Sequence, residues 1–322
     1  MGQFILRIGL RAFLLFFFSF TLLFFLVRLL GDPAQMLLGQ RSDQTSLEMI
    51  RAQLHLDKPL WLQYLYAWKD WLPYEEGRWR VPTFGTSYYY GRPVSELYGE
   101  RLPATALLSI GAFIVAMALG IGGGLWHAYK PYFLLQSFSL LLLALPSYVI
   151  GIFLVVLLAF KWGEWTGLPP SGYVYFYDPI LESHSYAWER LILPVVSLAL
   201  RPAAYLFQLT AIQARYILRE DFIRAARARG KSDLYVLRTD VLRNLFPSLA
   251  TAATQWLAGL FTGALFVEEL FDWPGVGKLL FSALLSSDFP LIIGIAQFSI
   301  LIFVLLYAVG ELLSRWSDPR LR

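Results

Sequence analysis

The chain of 322 residues contains no cysteine. A disulfide framework and thiolate-held metals are therefore excluded. Histidine is almost as scarce. His55, His127 and His184 stand far apart, and neither His-Glu-x-x-His nor Gly-x-Ser-x-Gly occurs, which removes the common signatures of zinc and serine hydrolases. A Gly-x-x-x-x-Gly-Lys-Ser/Thr loop is also missing. Gly275-Val276-Gly277-Lys278 lacks its spacing, so the chain carries no phosphate-cradling loop of an ATPase. Charge is the third shortage: 16% of residues are charged and 57% are hydrophobic, with a mean hydropathy of +0.54. Soluble domains carry about a quarter charged residues, and this much apolar surface exceeds what one water-soluble core can bury.

The few charges are bunched. None lies between Arg101 and His127, Lys130 and Lys161, Arg243 and Glu268, or Asp288 and Glu311. Each gap exceeds the roughly 20 residues that cross a bilayer as helix, and helix is the form that satisfies the backbone in lipid. An all-α membrane protein with six spans follows, at about 8–30, 102–128, 132–160, 191–214, 245–267 and 290–312. Arg201 and Pro202 make the fourth the least clean. Residues 1–30 have a basic start, Arg7 and Arg11, as a signal peptide would. However, the uncharged run from Ala12 to Val27 is long and no small-x-small site follows, so a retained first helix is expected.

Cations near span ends set the orientation. Arg7, Arg11, Lys130, the eight cations from Arg215 to Arg243, and Arg315, Arg320 and Arg322 fall on one side, against only Glu220, Asp221, Asp233, Asp240 and Asp318. Both termini and the Arg215–Arg243 loop are expected to be cytoplasmic. The opposite loops are rich in amphipathic rings: Trp61, Tyr64, Tyr66, Trp68, Trp71, Tyr74 and Trp79, then Trp162, Trp165, Tyr173, Tyr175, Tyr177 and Trp188. Such rings favour the headgroup region.

Residues 219–230 predict one helix in the cytoplasmic loop. Phe222, Ala226 and Gly230 fall at i, i+4 and i+8, a tapering face that another backbone can approach. Gly230 suits a C′ position, Ser232 can cap a second helix, and Pro247 fits the first turn of the next span. Two readings are open: a basic segment held by anionic lipid, or a helix docked on a protein. The fixed Ala225-Ala226 and Gly230 spacing tilts towards the second.

These residues resemble the permease subunits of ATP-binding-cassette importers, and most closely the B-type permease of dipeptide, oligopeptide and nickel uptake systems. The family signature is Glu-Ala-Ala, three residues, then Gly; here Arg224-Ala225-Ala226 is followed by Gly230. Gly31-Asp32-Pro33-Ala34, Leu54-His55-Leu56-Asp57-Lys58-Pro59-Leu60, Arg101-Leu102-Pro103-Ala104-Thr105 and Pro169-Pro170-Ser171-Gly172-Tyr173 also fit. So do Val267-Glu268-Glu269, Trp273-Pro274-Gly275-Val276-Gly277-Lys278, Asp288-Phe289-Pro290 and Asp318-Pro319-Arg320-Leu321-Arg322. Two stretches depart: Gly77 to Tyr90, with Tyr88-Tyr89-Tyr90, and Arg201-Pro202.

The resemblance implies the type I importer permease fold. A first helix and long external loop would occupy 1–101. A five-helix transmembrane domain would occupy 102–322, with a coupling loop at 215–246. It implies a second permease, two ATP-binding subunits holding ATP and Mg, and an extracytoplasmic binding protein, in a bacterial or archaeal plasma membrane. No cofactor is expected on this chain, no metal, and no nucleic-acid partner. The ATPase-coupling helix would comprise Glu220, Asp221, Phe222, Arg224, Ala225, Ala226, Arg229 and Gly230. Arg201 lies roughly 15 Å into its span at 1.5 Å per residue. A charge there is costly and marks function, as a contact for a substrate carboxylate, or else as one half of a structural ion pair or a snorkelling side chain. Gln208, Gln213, Thr251, Thr254, Gln255 and Thr262 would line a path or bond helices together. Glu268, Glu269, Asp272 and Trp273 would meet the binding protein on a projecting turn. An intramembrane enzyme has no motif here. A secondary transporter not driven by ATP is the remaining alternative, but its usual internal repeats are not evident.

Overall fold

A computed structural model describes residues 2–29, 34, 44–53, 56–69, 71–72, 74–75, 78–79, 82–178 and 183–317. Gly31, Asp32, Pro33, Leu54, His55, Gly77 and the closing Asp318–Arg322 motif lie outside the described residues, as do the side chains of Tyr74, Trp79, Tyr177, Thr262 and Arg315.

The described chain is mostly helical. The long helices are α1 (Gly2–Leu29), α4 (Val94–Tyr129), α8 (Ile192–Ile217), α11 (Leu242–Gly263) and α14 (Phe289–Ser317). Between α1 and α4 come α2 (Gln44–Gln53) and α3 (Leu60–Lys69). Next are α5 (Phe133–Ala144), α6 (Ser147–Leu154) and the short α7 (Gly163–Thr166). The loop after α8 holds α9 (Asp221–Ala228) and α10 (Asp233–Tyr235), and α12 (Leu265–Leu270) and α13 (Val276–Leu285) precede α14. Two small antiparallel hairpins pair Tyr74–Glu75 with Arg78–Trp79 and Tyr175–Asp178 with Ser183–Tyr186.

Four described helices are long and apolar enough to cross a membrane: Ile8–Val27, Val94–Tyr129, Trp188–Ile217 and Phe289–Leu312. The run expected as the third span, 132–160, is two helices, Phe133–Ala144 and Ser147–Lys161, bent by 113°. Pro146 explains the break. It offers no N–H and drives the preceding residue out of the α region; Leu145 accordingly sits at φ −89°, ψ 137°. The expected fifth span is α11, whose 22 residues reach about 33 Å. Its polar residues keep it out of the apolar set. By contrast, α8 continues unbroken through Pro202.

The chain forms two compact units, one of Met1–Pro103 with Gly275–Ile302, the other of Ala104–Pro274 with Phe303–Arg322. The first is held by rings. Phe20 of α1 packs on Trp68 and Trp71 at 4.6 and 4.9 Å between centroids, and Phe24 on Tyr64 at 5.3 Å. Thus three rings expected at the headgroups serve helix packing, while Trp61 and Tyr66 remain exposed. Val94, Leu97, Tyr98, Leu279, Leu291 and Ile295 build its core. Asp288, fully buried, caps α14 through the Leu291 N–H at 3.3 Å. It also accepts from the Ser87 hydroxyl and from the N–H groups of Tyr88 and Tyr89 at 3.1 and 3.0 Å.

The second unit has a core at each end. Leu108, Leu193, Leu198, Leu260, Phe271 and Trp273 form one; Leu206, Ile223, Val236, Val241, Leu245 and Leu249 form the other. Between them α4 crosses α8 very closely. A Cβ on Gly120 would lie 2.8 Å from the Ala203 carbonyl oxygen, and one on Gly124 would lie 2.6 Å from Thr210 Cβ. Small residues four apart permit such an approach.

Candidate functional site

The loop between α8 and α11 is built as a rigid piece. In α9, Ile223 and Ala226 are buried among Leu206, Ala214, Val236 and Leu245, whereas Asp221, Phe222, Arg224, Ala225 and Arg229 are exposed. The inward face therefore repeats at i, i+3, and the expected Phe222–Ala226–Gly230 face is not a common surface: Ala226 is committed to its own chain. Gly230 has φ +84°. Its N–H donates to the Arg227 carbonyl (2.9 Å), and the Lys231 N–H donates to the Ala226 carbonyl (3.3 Å). This pair of bonds is a Schellman motif, which needs the left-handed residue at C′. Ser232 Oγ then accepts from the Tyr235 N–H, the expected N-cap.

Ion pairs fasten the outside. Arg227 meets Asp233 at 3.1 Å and Lys231 meets Asp240 at 3.0 Å. The Tyr129 hydroxyl, at the end of α4, donates to Asp233 at 2.9 Å. The loop around Lys130 and the Arg215–Arg243 loop thus share one end of the second unit. Ile223 and Ala226 tie α9 by packing to Leu206 and Ala214 of α8 and to Leu245 and Leu249 of α11.

Above this loop α8 and α11 run antiparallel. Ser248 donates to Gln213 Oε1 at 2.6 Å, and the Tyr205 and Trp256 rings lie 5.8 Å apart. Both contacts fit one register, 213 with 248 and 205 with 256, which continued along the two helices pairs position 201 with 260, next to Gly259. Arg201 and Tyr205 are exposed on α8, Thr251 and Gln255 on α11. Asn244, Ser248, Thr251, Gln255 and Gly259 recur at helical spacing, so α11 carries one polar-to-small stripe along its length. A Cβ on Gly259 would touch nothing within 4 Å, which leaves open space at the level of Arg201. The other polar residues are engaged elsewhere. Gln208 donates to Ser139 at 2.6 Å, while Gln213 accepts from Ser248. Thr254 is buried against Gly310 and donates to the Ala250 carbonyl.

Beyond the far end of α11, Glu268 and Trp273 are fully buried. Thr105 donates to Glu268 at 2.7 Å, and Trp273 Nε1 donates to the Ala104 carbonyl at 2.9 Å. Tyr173 packs edge-on to Trp273 at 4.8 Å, and burial pushes its phenol above its usual pKa. The turn expected to project thus faces inward with Trp273. Asp272 is exposed, with a positive φ of 53°, and Glu269 is partly exposed.

Residues 112–322 match the family described as binding-protein-dependent transport system inner membrane component, and residues 1–109 match its N-terminal companion. The chain belongs to this family. It is a membrane permease subunit and not itself the catalytic one. A putative peptide transport system permease of Brucella abortus is 34% identical over 309 residues, covering 94% of this chain and 93% of its own. A glutathione transport system permease of Salmonella typhimurium is 30% identical, covering 94% and 93%. A probable D,D-dipeptide transport system permease of Escherichia coli is 32% identical, covering 90% and 88%. The fold is also similar to that of a chain in an inward-facing structure of the MetNI methionine ABC transporter. There the TM-score is 0.52 at 14% identity, covering 70% of this chain and 98% of that one.

Within this permease, Arg201 is exposed on α8 and Thr251 and Gln255 on α11, whereas Gln208 bonds to Ser139, Thr254 to the Ala250 carbonyl, and Gln213 accepts from Ser248. Asn244, Ser248 and Gly259 complete the stripe. Sequence reasoning missed them, although the i, i+4, i+7, i+11, i+15 recurrence was there to be read. It also missed the Gly120–Gly124 spacing that lets α4 reach α8.

Proposed function

We propose that this permease forms half of the translocation pathway of an ATP-driven importer for peptides or similar small solutes. The exposed face of α9 would receive a separate ATP-binding subunit. The observation that carries this reading is the construction of α9: a short helix, exposed on Phe222, Arg224, Ala225 and Arg229, yet keyed by Ile223 and Ala226 into the helices that bear the polar stripe. Movement of a docked motor would reach α8 and α11 as a rigid-body shift, a known kind of switch. ATP and Mg would sit on the partner. A second permease would complete the path, and an extracytoplasmic binding protein would deliver solute to the opposite face, where Asp272 and Glu269 are accessible.

The six-span arrangement with both termini cytoplasmic belongs to the same proposal, as does placement in a plasma (inner) membrane. The Tyr129–Asp233 bond supports it by joining the two basic loops at one end. The path would run along Arg201, Thr251 and Gln255. The names of the relatives, for peptides, glutathione and D,D-dipeptides, support peptide-like cargo.

Ala225→Trp provides the test, because Ala225 is exposed and a bulky ring there leaves the core intact. The variant is expected to reach the membrane at normal levels while co-purifying ATP-binding subunit falls about tenfold or more, equivalent to a loss of roughly 1.4 kcal/mol. Unchanged co-purification and uptake would reject docking at α9.

A further inference from the structure

We infer that Arg201 is a charge-reading residue of the pathway, pairing with the carboxylate of a passing peptide. The inference rests on the pathway reading above and adds the chemistry of its cargo.

Arg201 is placed where a cation is hard to keep. It lies 13 positions after Trp188 and 14 before Arg215, so each end of the span is about 20 Å away. A guanidinium at that depth demands a counter-charge or a wet cavity. Arg201 is exposed, and among the described residues it forms no ion pair. Two acids of the second unit are spoken for: Glu268 is fully buried and accepts from Thr105. Glu311, on α14, already has an interaction of its own.

The surroundings suit a carboxylate rather than another cation-seeking group. Open space lies at Gly259 beside it. Gln255, one turn along α11, offers an amide N–H, and Tyr205, one turn along α8, offers a hydroxyl. A planar guanidinium meets a carboxylate with two parallel hydrogen bonds, and such charge-assisted pairs are stronger than neutral ones. Every peptide with a free C-terminus supplies that group. The Tyr205–Trp256 ring pair at 5.8 Å gives an apolar wall against which a side chain can lie. Below Arg201, Gln255, Thr251, Ser248 and Asn244 are neutral, and the next cation on α11 is Arg243 in its first turn.

The test uses the assembled transporter in lipid vesicles, with its own binding protein present throughout. Uptake of a dipeptide is compared with uptake of the same dipeptide amidated at its C-terminus. Because the binding protein is common to all assays, its own preference cancels between variants. The wild-type ratio of acid to amide is expected to fall about tenfold in Arg201→Gln, the size of one lost charge-assisted bond. It is expected to be largely kept in Arg201→Lys, with the complex still assembled. An unchanged ratio in Arg201→Gln overturns the inference, and so does an equal loss for both substrates. Loss of assembly in Arg201→Gln assigns the arginine to an ion pair with the second permease and also overturns it. If the wild-type complex moves neither dipeptide with ATP, the pathway reading itself has failed, which is a separate result.

Discussion

Asp288 shows how much one buried carboxylate can organise. It caps α14 and at the same time holds the Ser87–Tyr89 turn through one hydroxyl and two N–H groups. The sequence displayed Asp288-Phe289-Pro290 and the aromatic Tyr88-Tyr89-Tyr90 stretch as separate features some 200 residues apart; they are one structural piece. Removing the acceptor leaves buried donors unsatisfied, at about 1–3 kcal/mol. Asp288→Ala is therefore expected to lower the Tm of the purified protein measurably, and Asp288→Asn, which keeps the shape and one acceptor oxygen, to lower it less. Equal Tm values for all three proteins would contradict this role. Glu268 and Trp273 carry the same lesson. As charged and aromatic residues in a loop they looked like a docking surface. Their hydrogen bonds to Thr105 and the Ala104 carbonyl show them to be interior struts, and nothing local in the sequence distinguishes the two roles.

At the scale of elements, the helices followed from uncharged runs and from Gly230 and Ser232. The pairing of the helices did not, because pairing depends on which faces meet. The α4–α8 crossing is the clearest case. Gly122 and Gly124 stand two residues apart, yet a Cβ on Gly122 would meet nothing within 4 Å, while one on Gly124 would meet Thr210 Cβ at 2.6 Å and the Phe207 carbonyl at 2.8 Å. Gly124→Leu is expected to destabilise the permease by about 1–3 kcal/mol through overpacking. Gly122→Leu is expected to stay within about 0.5 kcal/mol of wild type. Thermal unfolding in detergent checks both, and similar losses would show that the crossing is looser than the geometry states. The face of α9 is a second case. Its small residues were legible, but the inward positions are Ile223 and Ala226, not the Phe222–Ala226–Gly230 line. Periodicity gives the angle between residues; only the neighbours decide which angle points in.

The molecule as a whole holds two kinds of surface in mechanical series. One is the exposed face of α9, pinned from outside by Arg227–Asp233 and Lys231–Asp240. The other is the neutral stripe of α11, with Arg201 on the neighbouring α8. Ile223 and Ala226 connect α9 by packing to the helices that carry the second, the route proposed for coupling. The chain has no nucleotide loop of its own, which fits the proposed gate worked by a separate motor. The most direct test reconstitutes the permease in sealed vesicles, alone and with its companion subunits, and measures peptide uptake. Uptake that needs both ATP and the ATP-binding subunit, and that no proton or sodium gradient can replace, is the predicted result. Gradient-driven uptake by this chain alone would contradict it.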